Sequence, residues 1–290
     1  MKKVMTVALL MLMLIAEHAF ARVIFYDDAE NAPNTSSDWS NVGDGGANSL
    51  SVSGERVRAG SRSYKFSLAP YGTPGTQNRV ELVLRGFTAS PQVRNFLTGQ
   101  EYWMGWSIYI PHDFVFPNES KNEWATMSQF HGATESCDQP MGPCLSFFTN
   151  SAVGGLRTVV RATDDRCSNG HLSRAKAYTA QFKKGAWNDV VLNFRYNYTN
   201  SGSPFFKMWL NGQLVANDTG ANCYNDAMGP YFKMGIYGNS SSRITVYYDE
   251  IRVGDETSSY NEVAPKGSAA AAPAESSSPA PPTLKVISTN

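Results

Sequence analysis

Short segments in which apolar and polar residues alternate fill most of this chain, and they constrain its fold more than any other feature. Val, Ile, Phe, Tyr and Trp recur in these segments, and clusters of Gly, Asn, Asp and Ser separate them. Clear examples are residues 102–110, 189–196, 205–215 and 244–253. A period of two is typical of β-strands with one buried face, and Asn211-Gly212 inside one segment indicates a tight hairpin. So many strands predict an all-β fold, a two-sheet β-jelly-roll sandwich.

The two ends of the chain differ from this β-rich body. Lys2 and Lys3 precede an apolar run, and Ala19-Phe20-Ala21 matches an A-x-A cleavage site, so residues 1–21 are predicted to be a signal peptide. From Glu262 onward Ala, Ser and Pro dominate, which is typical of a flexible tail. We therefore predict one domain over residues 22–261 and a low-complexity tail over residues 262–290.

The predicted signal peptide also indicates where the protein acts. Its apolar run is short for a membrane span, so we expect a secreted or periplasmic protein without a membrane partner after cleavage, with an uncleaved anchor as the alternative. The formal net charge of +0 argues against a nucleic-acid partner, which usually requires a basic surplus. We expect the mature protein to be a monomer.

Four cysteines follow the predicted cleavage site. An even number in an exported chain favours disulfides. Cys137 and Cys144 are close enough in sequence to close one loop, which would leave Cys167 for Cys223, but all three connectivities remain open. No C-x-x-C spacing supports a zinc site as the alternative.

Polar residues share one face of three predicted strands, because successive side chains of a strand point to opposite faces. The residues on these faces are Arg79, Glu81 and Arg85 in the first strand, Gln129 and His131 in the second, and Tyr231, Lys233 and Tyr237 in the third. For each strand alone, a solvated face with an ion pair such as Arg79 with Glu81 is the simpler interpretation. If the strands are neighbours, the three faces form a cationic floor, which Arg157 and Arg161 on a further strand would extend.

The motifs R-V-E, Q-F-H and Y-F-K-M-G-I-Y, in this order, resemble the three signature strands of the jelly-roll polysaccharide lyases, a group that includes alginate lyases, heparin lyase I and glucuronan lyase. Residues 143–147, 185–191 and 248–254 are similar to the heparin lyase I and glucuronan lyase branch. The resemblance implies a concanavalin-like jelly roll and a polysaccharide lyase activity. Alginate lyases of this group have a second arginine where this chain has Val83, which puts alginate as the substrate in doubt.

The residue types suit β-elimination on a uronate, which needs a neutralised carboxylate, a base for the C5 proton and an acid for the departing O4. Gln129 with Arg79 would neutralise the carboxylate, and His131 would act as base or neutraliser because histidine titrates near neutrality. The resemblance implies that Tyr237 donates the proton to O4 and also acts as base for one C5 epimer. Residues predicted to bind substrate are Glu81, which would also orient Arg79, and Arg85, Arg161, Tyr231 and Lys233.

We therefore predict a lyase that cleaves an anionic, uronic-acid-containing polysaccharide of the glucuronan, alginate or glycosaminoglycan type and leaves unsaturated uronate ends. A non-catalytic carbohydrate-binding module on the same fold is the alternative. A glycoside hydrolase is disfavoured because it would need two carboxylates on one strand face, whereas Asp249 and Glu250 are adjacent. No cofactor is expected to be required, although oxygen ligands near Asp27 or Asp249 are compatible with a structural calcium ion.

Overall fold

The structure is a computed structural model in which residues 22–85, 95–132, 142–166, 172–226 and 228–266 are described. Its first seven strands are β1 (Val23–Asp27), β2 (Trp39–Val42), β3 (Ser49–Ser53), β4 (Ser63–Leu68), β5 (Arg79–Leu84), β6 (Glu101–Ile110) and β7 (Ala125–His131). The remaining strands are β8 (Leu145–Thr149), β9 (Leu156–Ala162), β10 (Arg174–Ala180), β11 (Ala186–Arg195), β12 (Phe205–Leu210), β13 (Gln213–Thr219), β14 (Tyr231–Gly238) and β15 (Ile244–Gly254). A 3-10 turn (Glu119–Lys121) and a short helix α1 (Tyr260–Val263) complete these elements.

The strands form two antiparallel sheets that pack face to face. The first sheet has the order β13-β12-β11-β6-β15-β4-β3, and β1 pairs with β15. The second sheet has the order β10-β9-β8-β7-β14-β5-β2. Neighbours in the sheets are often far apart in sequence, as expected for a jelly roll rather than a simple meander. The predicted all-β sandwich is confirmed.

Alternation along each strand places the core between the sheets. On β14 the inward residues Phe232, Met234 and Ile236 are fully buried. The ring of Phe130 on β7 contacts Phe232 at 5.1 Å and, from the opposite sheet, Phe194 at 5.4 Å between centroids. Full burial of an aromatic or aliphatic side chain of this size contributes about 1.5–3 kcal/mol each, so the core strongly favours this register.

The predicted hairpin joins β12 to β13. Asn211 and Gly212 both have positive φ angles, 51° and 79°. A two-residue type I′ turn requires this conformation at both positions, and Asn followed by Gly adopts it at low cost. The local sequence therefore determines this connection.

The C-terminal helix packs against the outer face of the first sheet. Tyr260 and Val263 are buried against Val191, and the Trp209 ring lies 5.6 Å from the Tyr260 ring. The backbone N–H of Lys266 donates to Glu250. The chain thus still contacts the sandwich beyond residue 261, where the sequence analysis ends the domain. That domain boundary stays a prediction. Residues 1–21 and most of the predicted tail lie outside the described residues, and within the described ranges no helix is long and apolar enough to cross a membrane.

The cysteine neighbours differ from the pairing that sequence proximity suggests. Cys144 lies beside Cys223, both buried, with their Sγ atoms 2.6 Å apart. Both are free thiols, and no disulfide is present among the described residues. Cys137 and Cys167 lie outside the described residues. The fold brings Cys144 to Cys223 because β7, β8 and the loop before β14 meet at the same end of the second sheet.

Candidate active site

The three motif strands are direct neighbours, with β14 in the centre between β7 and β5. Lys233 pairs with Gln129 on β7, Tyr237 with Arg79 on β5, and Tyr231 with His131 on β7. Because the alternate residues of β14 fill the core, these polar side chains lie together on the outer face. The condition that the sequence analysis set for a continuous polar floor is therefore met.

Glu81 lies at the centre of this floor and links all three strands. It is only 2% exposed, and its Oε1 accepts a hydrogen bond from the Gln129 side-chain amide. Its Oε2 lies 3.6 Å from Arg79 Nη1 and 4.0 Å from Lys233 Nζ. Burial raises the pKa of Glu81, whereas Lys233, the Gln129 amide and Arg79 act in the opposite direction. The predicted contact with Arg79 is present, and the contact with Gln129 is one that the sequence analysis missed.

Gly235 on the central strand fits tightly against the backbone of β5. It lies on β14, between the two strands that carry Gln129 and Glu81, and pairs with Glu81 at a φ of +129°. A Cβ at this position would lie 2.3 Å from the Val80 carbonyl oxygen and 2.8 Å from the Glu81 Cα. A side chain at 235 would therefore collide with β5 and lie 3.0 Å from the core ring of Phe66. The glycine was visible in the third motif, but its role depends on which strands flank it.

His131 ends β7 and has one ring nitrogen available for chemistry. Its Nδ1 lies 2.8 Å from the Gly132 carbonyl oxygen, and because a carbonyl only accepts, Nδ1 carries the proton. The neutral ring therefore has its lone pair on Nε2. Burial lowers the pKa of His131, and the positive charges of Lys233 and Arg79 lower it further. A histidine of this kind is neutral at neutral pH and can accept a proton.

Tyr231 and Lys233 lie beside His131 at this end of the floor. The Tyr231 ring lies 5.6 Å from the His131 ring, and Lys233 Nζ lies 5.5 Å from the Tyr231 centroid. Burial and the Glu81 charge raise the pKa of Tyr231, so it stays a phenol and a potential proton donor. Burial also lowers the pKa of Lys233, while Glu81 opposes that shift.

Tyr237 lies at the other end of the floor, between a cation and an indole ring. The Arg79 guanidinium carbon is 4.2 Å from the centroid of the Tyr237 ring. The Trp124 ring meets the Tyr237 ring edge-on, at 4.9 Å and 85°. These contacts restrict the orientation of the phenol. The sequence analysis did not single out Trp124, although it immediately precedes β7.

The register places His131 and Tyr237 on opposite sides of the Gln129–Lys233 pair. His131 is opposite Tyr231, and six positions of β14 separate Tyr231 from Tyr237. At about 3.3 Å per residue, this corresponds to roughly 20 Å along a regular strand, which the irregular pairing between Met234 and Tyr237 shortens. The floor is therefore a strip with Glu81 in the middle. His131 and Tyr237 act on one sugar ring only if both side chains lean towards that middle.

Arg161 extends the floor on the side of β8 and β9. Its Nη1 donates to the Pro143 carbonyl oxygen at 2.9 Å and to Ser146 Oγ at 3.2 Å, and burial lowers its pKa. Arg157, on the same face of β9, has its guanidinium carbon 5.3 Å from the Phe148 ring centroid. The cationic floor therefore extends beyond the three motif strands to β9.

Arg85 lies at the opposite margin of the sheet. It follows the last residue of β5, and its Nη1 donates to the Thr35 carbonyl oxygen at 3.4 Å, on the loop before β2. This contact directs the guanidinium towards that loop. The structure thus places Arg85 at the rim and not beside Glu81.

The two carboxylates considered for calcium are occupied by protein donors. Asp27 accepts hydrogen bonds from the Trp39 indole and the Tyr64 hydroxyl. Asp249 accepts from the backbone N–H groups of Arg58 and Ala59. Among the described residues no group of three or more His, Cys, Asp or Glu could hold a metal ion. Both carboxylates thus already have protein donors, and a structural calcium ion stays a prediction.

Comparisons with known proteins agree with this architecture. Residues 31–252 match a family model described as polysaccharide lyase. The solved endo-β-1,4-glucuronan lyase from the fungus Trichoderma reesei superposes with a TM-score of 0.67 at 20% identity, covering 84% of this chain and 99% of that chain. The alginate lyase vAL-1 from Chlorella virus superposes with a TM-score of 0.54 at 13% identity, covering 81% of this chain and 100% of that chain. No curated protein sequence matches.

The two structural likenesses, at these low identities, show a shared fold. The family match carries the assignment further, because it spans residues 31–252, from the loop before β2 into the closing strand β15, and includes all three motif strands. The chain therefore belongs to the polysaccharide lyase family and is a lyase.

Proposed function

We propose that this lyase cleaves a uronic-acid-containing polysaccharide by β-elimination, with a 1,4-linked glucuronan-type chain as the first substrate class to test. The observation that carries the proposal is the convergence of Gln129, Arg79 and Lys233 on Glu81 on the outer face of the second sheet. The likeness to the Trichoderma reesei glucuronan lyase and the Val83 departure from the alginate-lyase motif support glucuronan over alginate.

The charge balance of the floor suits one incoming carboxylate. Arg79 and Lys233 carry two positive charges, and Glu81 carries one negative charge when ionised. A uronate carboxylate would compensate the remaining cation, and the Gln129 amide would donate to it. Neutralising this carboxylate acidifies the neighbouring C5–H, because the charge that develops in the transition state is stabilised by donors already in position.

The two proton transfers occur at C5 and O4 of one linkage, so His131 and Tyr237 must both reach the middle of the floor to carry them out. A base takes the C5 proton, the electron pair forms the C4–C5 double bond, the C4–O4 bond breaks, and an acid protonates O4. We propose that His131 Nε2 is the base and that Tyr237 is the acid, or the base for the other C5 epimer. Tyr231 is the competing acid, because its ring lies next to His131.

The experiment is to incubate the purified protein with a panel of glucuronan, alginate and glycosaminoglycans and follow the ultraviolet absorbance of the unsaturated uronate. His131→Ala and Tyr237→Phe should abolish the signal on the substrate found, whereas Tyr231→Phe should retain most of it. If Tyr231→Phe lost activity and Tyr237→Phe retained it, the acid would be Tyr231 and not Tyr237. Full activity in both His131→Ala and Tyr237→Phe would reject the site.

We also propose that the enzyme is exported to the periplasm or the medium and acts there as a monomer. The pattern of residues 1–21 supports export. N-terminal sequencing of the protein recovered from periplasm or medium should start at Arg22. An intact Met1 in a membrane fraction would contradict cleavage. Size-exclusion chromatography with light scattering should give the molar mass of one chain, and twice that mass would contradict the monomer.

A further inference from the structure

Two cysteines that the proposed chemistry does not use are in contact inside the domain. Cys144 directly precedes β8, and Cys223 lies in the loop between β13 and β14. Their relative exposures are 0% and 2%, and their Sγ atoms are 2.6 Å apart. We infer that Cys144 and Cys223 form a disulfide in the exported protein, so that the cross-link joins the start of β8 to the loop that leads into the third motif strand.

The surroundings of the two sulfur atoms favour this partner choice. Tyr196, from the opposite sheet, is fully buried, and its pKa is raised chiefly by that burial and then by the neighbouring Cys144 and Cys223. The two sulfur atoms are enclosed, and in the described part of the chain each has the other as its cysteine neighbour. A disulfide joins sulfur atoms about 2.05 Å apart, and the two sulfur atoms here lie 2.6 Å apart, so only a short approach separates the thiols from the bond.

The chemistry of bond formation requires an oxidant and an accessible thiolate. The thiolate of one cysteine attacks the disulfide of an oxidant, a dithiol-disulfide protein or oxidised glutathione, and forms a mixed disulfide. The second thiolate then displaces the oxidant, whose two sulfur atoms have taken up the two electrons and the two cysteine protons and are now thiols. Burial raises the pKa of Cys223 in the folded state, so we expect the bond to form before the core closes.

The cross-link would restrain the loop that carries Cys223, which lies beside the His131 end of the floor. The Thr163 N–H donates to the Cys223 carbonyl oxygen, and the Asn225 N–H donates to the Thr163 carbonyl oxygen, so this loop follows the end of β9. Asp226 reaches Gly132, the residue after His131, where an added Cβ would lie 2.3 Å from its carboxylate. The closed loop spans 79 positions, a length for which a cross-link substantially restricts the unfolded chain.

Peptide mapping of the unreduced protein tests the inference directly, independently of any lyase activity. Free thiols are first blocked with N-ethylmaleimide in denaturant, and the chain is cleaved with cyanogen bromide and trypsin. Cleavage after Met141 separates Cys137 from Cys144, which gives fragment 142–157 for Cys144 and fragment 209–228 for Cys223. We expect these two fragments to be linked by mass spectrometry. Blocked thiols on both fragments, or a link from either one to Cys137 or Cys167, would overturn the inference.

A stability measurement provides the second test. In a background carrying Cys137→Ser and Cys167→Ser, reduction in denaturant followed by refolding in the presence of a thiol reductant should lower the melting temperature by about 5–10 °C. Adding Cys144→Ser and Cys223→Ser should produce a similar loss and make the protein insensitive to reduction. An unreduced background protein that melts at the same temperature as its reduced form would contradict the cross-link.

Discussion

The Gln129 side chain crosses the central strand β14 and donates its amide hydrogen to Glu81 on β5. A buried carboxylate thus orients the amide that would meet the substrate, and it also approaches the cations of Arg79 and Lys233. The site is therefore one network across three strands. A change at any member alters how the others present their donors.

Replacing Glu81 tests this network without changing its shape. Glu81→Gln removes the charge that holds Arg79 and Lys233 in place and allows the Gln129 amide to rotate. We expect kcat to fall by about 10²-fold or more, the range seen when a preorganised donor is lost. Steady-state kinetics on the substrate found would measure this, with circular dichroism as the folding control. A variant with unchanged kcat would show that Gln129 is positioned without Glu81.

Gly235 should tolerate no side chain. Gly235→Ala would push a methyl group against the Val80 carbonyl oxygen at a φ of +129°, and this conflict lies in the pairing of β14 with β5. We expect the free energy of unfolding to fall by about 2–4 kcal/mol in urea denaturation. Gly142→Ala is the matched control, because an added Cβ there meets nothing within 4 Å. Equal stability of the two variants would contradict the steric argument.

The pH dependence of kcat/KM should reflect His131. Its pKa is lowered chiefly by burial and then by Lys233 and Arg79, so the neutral base persists as the pH falls and the acidic limb lies below the usual 6.5. Lys233→Gln removes one of these charges, so the pKa of His131 should rise and the limb should move to higher pH. Activity will also drop, but the position of the limb is the informative readout. A limb that does not move would exclude His131 as the titrating base.

Trp124 should act as a positioning residue for Tyr237. Trp124→Ala removes the ring edge that faces the phenol, and we expect kcat to fall about tenfold because the phenol loses its fixed orientation. Trp124→Phe retains an aromatic edge and should recover most of the activity. If the alanine variant changes KM alone, Trp124 contacts substrate and does not orient Tyr237.

Chelation should leave the enzyme unchanged. Asp27 and Asp249 already accept hydrogen bonds from protein donors, so neither requires a cation. We expect dialysis against EDTA to alter neither the melting temperature nor the activity, and added calcium to have no effect. A drop in melting temperature that calcium reverses would place a metal site elsewhere in the chain.

The sequence alone determined the β-strands, the Asn211-Gly212 hairpin and the face on which the polar residues of each motif lie. These features depend on a period of two or on the φ angles of single residues, which are local properties of the chain. Only the tertiary structure decided that β14 lies between β7 and β5, that Gln129 reaches Glu81 across it, and that Cys144 meets Cys223. It also set His131 and Tyr237 on opposite sides of Lys233, since register is decided by pairing between segments that are distant in sequence.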